Sequence, residues 1–440
     1  MPDIDFIVAP RWLIPVEPHG AILENHAIVI HAGEILNILP ANEARSSYPD
    51  ADWYDRSNHV LSPGFINAHT HAPMCLLRGC ADDMPLNTWL TDYIWPLEGR
   101  WVDREFVRDG ADLAILEMLR GGTTCFQDMY MFPDEVAAVA AERGIRACVS
   151  MIVLEAPTAW ANNADEYIEC GLTVHDTYRD HPLIDTSFGP HSPYTVSDNS
   201  LKRILTLANQ LDVAVQMHIH ETAAEVQQSV DNFGIRPLAR LHEQLALTPL
   251  LNAVHMTQLN ANEIDLLAET GVTVIHCPES NMKLASGTCP VTELLNAGIN
   301  VALGTDGAAS NNDLDMLNEL RTAALLAKQH SHDAQSVPAA DALKMATLNG
   351  ARALGIDAKT GSLQKGKAAD MICIDLDTPS CLPVLNALST LVYSASRDQV
   401  TDVWVAGKPL YQDGNFNNCD TSDILQRARS WGQRINGASQ

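Results

Sequence analysis

From about residue 61 to 365 the chain repeats one pattern: a short run of apolar and β-branched residues, then a longer stretch with helical spacing. The runs lie at 65–69, 123–126, 147–153, 185–188, 213–218, 251–255, 272–276 and 300–304, and read as strands. Residues 105–120, 197–210, 262–270 and 313–328 read as helices between them. Eight alternating units in about 300 residues predict an α/β fold, a (β/α)8 TIM-type barrel with insertions. An open doubly wound sheet would show the same alternation, but no GxGxxG follows a strand and there is no P-loop.

The two ends differ from the middle. Residues 5–8, 27–31 and 34–39 form short β-branched runs separated by turn residues, and 370–375 and 400–407 resemble them. The expectation is a small composite β-sandwich built from both termini. The chain then divides into 1–61 (sandwich, first part), 62–365 (barrel) and 366–440 (sandwich, second part, and a terminal helix over 421–437). Thr421 or Ser422 is the predicted N-cap of that helix.

The polar residues fall where barrel strands end. The first strand runs into His69-Thr-His71, the fourth into Pro190-His191 and the fifth into His218-Ile-His220-Glu221. The sixth ends in His255, the seventh in His276, and the eighth runs into Thr305-Asp306. Strand C-termini of a barrel converge on one face, so these residues are expected to meet. Residues i and i+2 share a strand side, which lets His69 and His71 point inward together, with His218 and Asp306 completing a ligand set. Three imidazoles and a carboxylate suit one Zn2+ per subunit, with a position left for water; Fe2+ or Mn2+ suits the same ligands. Such an ion lowers the pKa of water to roughly 7. Any one of these elements alone is more often a packing or turn residue; their joint placement at strand ends carries the reading.

Composition narrows the partners. The formal net charge of −27 disfavours phosphate backbones and anionic lipid, and no apolar stretch approaches the roughly 20 residues of a membrane span. A small-molecule substrate is expected, with no nucleic acid and no membrane. The N-terminus lacks the basic and apolar regions of a secretory signal, and the ten cysteines are scattered without a CxxC pair. They read as small buried hydrophobes in a reducing compartment, and the expected localisation is cytoplasmic. A homo-oligomer is compatible with the sequence, though no motif specifies one.

Several motifs carry a resemblance. Pro63-Gly-Phe-Ile-Asn-Ala-His69-Thr-His71, His218-Ile-His-Glu221, His255 and Gly304-Thr-Asp306 resemble the amidohydrolase superfamily. Asp92-Tyr-Ile-Trp-Pro-Leu-Glu98, Gly189-Pro-His191-Ser-Pro-Tyr, His276-Cys-Pro-Glu-Ser-Asn-Met-Lys-Leu-Ala-Ser and Asp306-Gly-Ala-Ala-Ser-Asn-Asn-Asp narrow it to the methylthioadenosine/S-adenosylhomocysteine deaminase family. The resemblance implies a single metal held by His69, His71, His218 and Asp306. The lysine that bridges two metals in binuclear members is missing near Gly189-Pro-His191. It further implies that Glu221 shuttles protons, that His255 polarises the attacking water, that Asp306 takes the water's proton, and that Glu98 and His191 read the ribose hydroxyls. The implied reaction is hydrolytic deamination of the adenine ring of a small nucleoside.

His220 and His276 are read as structural, and Trp89, Trp95 and Met84 as core residues that border the pocket at most. Some family members carry an arginine near the end of strand three, suited to an anionic tail; after Arg146 this chain has none there. That favours 5'-methylthioadenosine over S-adenosylhomocysteine or adenosine, unless Arg78 compensates. The rival is a deaminase of a free base or triazine-type ring on the same scaffold. A non-catalytic interaction protein is a remoter alternative, opposed by the intact set of chemistry-bearing residues.

Overall fold

The structure, a computed structural model, describes residues 4–417 and 419–437. Eight parallel strands form the barrel: β1 (Phe65–Thr70), β2 (Thr123–Asp128), β3 (Arg146–Val153), β4 (Ile184–Pro190), β5 (Val215–Ile219), β6 (Leu251–His255), β7 (Thr273–His276) and β8 (Val301–Leu303). Each pairs with the next in chain order, as βα units require. Between the ends, β8 meets β1 through a parallel bridge of Thr70 with Asp306 and a bond from Asp306 N to His69 O (3.0 Å). Asn67 ties the same seam, donating to Thr305 Oγ1 (2.7 Å) and accepting from Thr305 N (3.0 Å). A Cβ at Gly304 would lie 2.7 Å from His69 N, so closure here needs glycine.

The predicted strands all exist, with shifted ends: the fifth starts at Val215 and the eighth covers only Val301–Leu303. The last predicted barrel helix is displaced, to Met316–Ser331, because the Asp315 carboxylate caps it by accepting from Leu317 N (3.0 Å) and Asn318 N (3.4 Å).

The N- and C-terminal segments share one nine-stranded sheet. Its centre is the long strand Trp53–Pro63, parallel to Phe6–Leu13 on one side and antiparallel to Met371–Asp375 on the other. The sheet folds over on itself, so that Phe6 and Trp404 stack with ring centroids 6.0 Å apart although two strands separate theirs. This is the composite sandwich. The buried Arg146–Asp370 pair (3.0 Å) fastens it to β3, and Asp370 also accepts from Ala406 N (2.7 Å).

The terminal helix spans Thr421–Gly437. Its cap is one residue earlier than predicted: the Asp420 carboxylate accepts from Ser422 N (3.0 Å) and Asp423 N (3.1 Å). Asp420→Ala is therefore expected to destabilise the fold by about 1 kcal/mol in urea titration, while Thr421→Ala has a smaller effect. The helix packs on Arg104–Arg120, where Trp431 Nε1 donates to Asp109 Oδ2 (2.8 Å). Seven of the ten cysteines are buried and three half-buried, all as free thiols.

Candidate active site

Strand ends of the barrel open into a cavity of about 600 Å³. One wall is an insertion after β1 that the hydrophobic pattern did not predict: Leu86–Thr88, a π-helical turn Trp89–Ile94, and the helix Trp95–Trp101. His71, Glu98, His191, His218, Glu221, His255 and Asp306 all line the cavity, and His69 lies fully buried at its base.

Hydrogen bonds fix which nitrogen each ligand-type histidine presents. His71 Nδ1 donates to Met129 O (2.5 Å) and His218 Nδ1 to His191 O (2.8 Å); a carbonyl can only accept. His69 Nδ1 donates to Gln216 Oε1 (2.7 Å), and Gln216 is oriented because its Nε2 donates to Ala68 O (2.9 Å). Burial, above all, holds the His69 and His218 rings below the ordinary imidazole range, and therefore neutral. The Nε2 atoms of His69 and His218 thus carry bare lone pairs, and His71 turns its own Nε2 toward the same cluster. His69 Nε2 and His218 Nε2 stand 3.1 Å apart, and Asp306 Oδ1 lies 3.5 Å from His69 Nε2 and 3.3 Å from His71 Nε2. Lone pairs packed this closely repel unless a cation lies among them. The donor set, three imidazoles and a carboxylate oxygen with hydrogen-bonded outer atoms, fits Zn2+.

Next to this cluster, His255 accepts at Nδ1 from the Asn281 amide (3.0 Å), so its ring proton is on Nε2, 3.7 Å from Glu221 Oε2. Burial lowers the His255 pKa to about 4, which keeps the ring neutral. Burial, with a smaller push from Asp306, raises the Glu221 carboxyl to about 8. The Glu221 backbone is held at both ends, N–H to Glu225 Oε2 (2.7 Å) and C=O from Thr257 Oγ1 (2.7 Å). His255 and Asp306 adopt left-handed backbone conformations (φ +77° and +62°), unfavourable for residues bearing a Cβ and typical of sites where side-chain aim outweighs backbone preference.

Further out, Glu98 borders the cavity, Tyr130 donates to its Oε1 (2.7 Å), and desolvation raises the Glu98 carboxyl. The His191 ring sits 4.7 Å from that of His218, and burial with its histidine neighbours lowers it to about 3. Trp89 and Trp95 do border the cavity; Met84 does not, and packs half-buried against the main core. No lysine or arginine lines the cavity among the described residues. Arg78 is committed to Glu117 (3.1 Å) and Arg146 to Asp370, so neither supplies the missing cation.

His220 lies outside the cavity: β5 ends at Ile219, His220 turns away at φ +55°, and its Nε2 accepts from Leu238 N (3.2 Å). His276 is buried outside it too, both ring nitrogens without a partner among the described residues. Sequence reasoning did not single out Gln216, Tyr130, Asn281, Ser280 or Ser310. Gln216 shares His218's strand parity, a usable signal, while Ser280, Asn281 and Ser310 sit inside motifs that carry the family resemblance. Nothing local marks Tyr130.

The profile of the amidohydrolase family matches residues 60–410. The 5-methylthioadenosine/S-adenosylhomocysteine deaminase of Saccharophagus degradans is 48% identical over 431 residues, 98% of this chain and 97% of its own. That of Teredinibacter turnerae is 46% identical over 432 residues, 98% of both chains. Among solved structures, a zinc-bound adenosine deaminase from Xanthomonas campestris superposes with a TM-score of 0.98 at 50% identity, covering 99% of this chain and 100% of that one. Atrazine chlorohydrolase from Arthrobacter aurescens, with zinc, has a TM-score of 0.91 at 22% identity over 97% of this chain and 99% of its own, a likeness of fold alone. Barrel, histidine cluster and full-length similarity agree: the chain belongs to the amidohydrolase family, within the group of the 5-methylthioadenosine/S-adenosylhomocysteine deaminases.

Proposed function

We propose that this protein is a zinc-dependent aminohydrolase that deaminates the adenine ring of a small nucleoside, with 5'-methylthioadenosine as preferred substrate. The observation that carries the proposal is the convergence of three imidazole Nε2 atoms and one carboxylate oxygen at the base of a cavity lined, among the described residues, by no lysine or arginine. His69, His71, His218 and Asp306 would hold one Zn2+. Bound there, the ion would lower the pKa of water and make it a nucleophile at neutral pH.

The chain's own residues would do the rest. Asp306 takes the proton of the attacking water, whose oxygen adds to C6 of adenine. Glu221, protonated at neutral pH through its burial, donates to ring N1 and makes C6 electrophilic. His255, whose ring proton is on Nε2, would orient the oxygen as it adds. Asp306 then passes the proton it took to the exocyclic amine, Glu221 takes back the O–H proton of the adduct, and ammonia leaves with its bonding pair as C6–O becomes a carbonyl. Glu98 and His191 hold the ribose. A carboxylate oxygen already fixed by Tyr130 leaves its twin to accept from the hydroxyls.

Glu98→Ala is expected to raise KM for nucleosides about 10- to 100-fold with zinc content unchanged, the size of one or two hydrogen bonds to a charged group. Unaltered nucleoside kinetics would remove Glu98 from the site. A carboxylate tail finds no cation in the cavity, so kcat/KM for S-adenosylhomocysteine is expected at least about tenfold below that for 5'-methylthioadenosine. Equal values in a direct comparison would overturn the tail preference. The strongly acidic composition, and described helices none of which is long and apolar enough to cross a membrane, fit a small-molecule partner in this reading. The proposal includes a cytoplasmic enzyme with no nucleic-acid partner, and is compatible with a homo-oligomer.

A further inference from the structure

Asp306 is surrounded by more donors than a metal-binding carboxylate needs. Ser280 Oγ lies 2.7 Å and Ser310 Oγ 3.1 Å from Asp306 Oδ2, and the two hydroxyls lie 3.0 Å from each other. Gly307 N donates to Oδ1 at 2.8 Å. A carboxylate oxygen has two lone pairs. Both on Oδ2 are claimed by the hydroxyls; one on Oδ1 is claimed by the amide. A single lone pair remains, on Oδ1, the oxygen that faces His69 and His71. Ser280 is 0% exposed and Ser310 3% exposed, the latter at the edge of the cavity.

We propose that Ser280 and Ser310 act together as positioning residues that make Asp306 a one-oxygen ligand. Both come from helical or turn segments just past strand ends: Ser280 from Pro278–Lys283 after β7, Ser310 from the turn after β8. Each closes off the same oxygen from a different element, so the arrangement is redundant. Without both, Oδ2 is free to swing toward the ion, and the carboxylate chelates or tilts. The inference rests on the metal reading of the site.

Redundancy sets the expected result. In the full chain, Ser280→Ala and Ser310→Ala singly should each change zinc affinity by no more than about threefold, because the remaining hydroxyl still holds Oδ2. The double variant should lose about 10- to 100-fold, the usual effect of removing the groups that orient a ligand. Affinity is read by competition with a chelator, and ligation by the visible spectrum of the cobalt(II)-substituted protein. A carboxylate that adds its second oxygen raises the coordination number and weakens the absorption. Thermal melting of the metal-free proteins serves as control. Ser280→Gly/Ser310→Ala, which also removes both hydroxyls but packs differently, is used if the double alanine variant fails to fold.

A double variant with wild-type zinc affinity and cobalt spectrum overturns the inference. So does a loss of affinity matched by an equal loss of metal-free stability, or one already complete in either single variant. Asp306→Asn separates this from the underlying reading. If it binds zinc as the wild type does, the metal assignment itself fails; if it loses zinc while the double serine variant does not, only the role of the hydroxyls fails.

Discussion

Replacing Glu221 by glutamine is expected to lower kcat for nucleoside deamination about 100- to 10,000-fold while zinc remains bound. The substitution keeps size and most hydrogen bonding, since Glu221 is anchored through its backbone by Glu225 and Thr257. What it removes is a transferable proton next to the ring. Only 8% of the residue is exposed, on the side that borders the cavity, where a bound substrate would cover it. The loss should appear in kcat more than in KM, because the proton is given in the transition state and not on binding. Steady-state kinetics with metal analysis on the same sample checks this. A kcat within tenfold of wild type would mean that another group protonates N1.

The second large effect concerns the ion. Removing zinc leaves the His69 and His218 lone pairs facing each other at 3.1 Å with nothing between them. At free zinc 100 to 1,000 times the dissociation constant, the loaded protein should be more stable than the stripped one by about 3–4 kcal/mol. His218→Ala should abolish this difference along with activity: it deletes one ligand and also separates the repelling pair. The stripped variant is then expected to be stabilised relative to the stripped wild type on this count, while losing the packing of a buried ring. Differential scanning calorimetry with and without chelator measures both. A zinc-dependent stabilisation that persists in His218→Ala would place the ion elsewhere.

How much of this was legible in the sequence follows from what each feature depends on. Barrel strands are buried on all sides and read as β-branched runs, so their number and order were visible. Their exact ends were not: the helix after β8 begins where Asp315 caps it, not where apolar spacing starts. The histidines stood out because polar, metal-competent side chains are costly to bury and rarely recur at one strand end after another unless a shared ion repays that cost. Their supports did not stand out. Gln216 in the middle of β5 and Tyr130 after β2 look like ordinary strand and loop residues, and their meaning comes from partners 147 and 32 positions away. His220 shows the limit of parity: alternation put it beside His218, but the strand had already ended and the backbone turned it away. The wall formed by residues 86–101 includes a π-helical turn, whose spacing matches neither the helical nor the strand period.

Substrate identity is tested by turnover of 5'-methylthioadenosine, S-adenosylhomocysteine, adenosine, adenine and guanine by the zinc-loaded protein, with ammonia release and the ultraviolet change from adenine to hypoxanthine followed together. The expected result is one ammonia per nucleoside consumed, with 5'-methylthioadenosine the fastest and free bases poor. Adenine nucleosides that stay inert while a free base or a triazine reacts would contradict the proposed substrate and the ribose roles of Glu98 and His191.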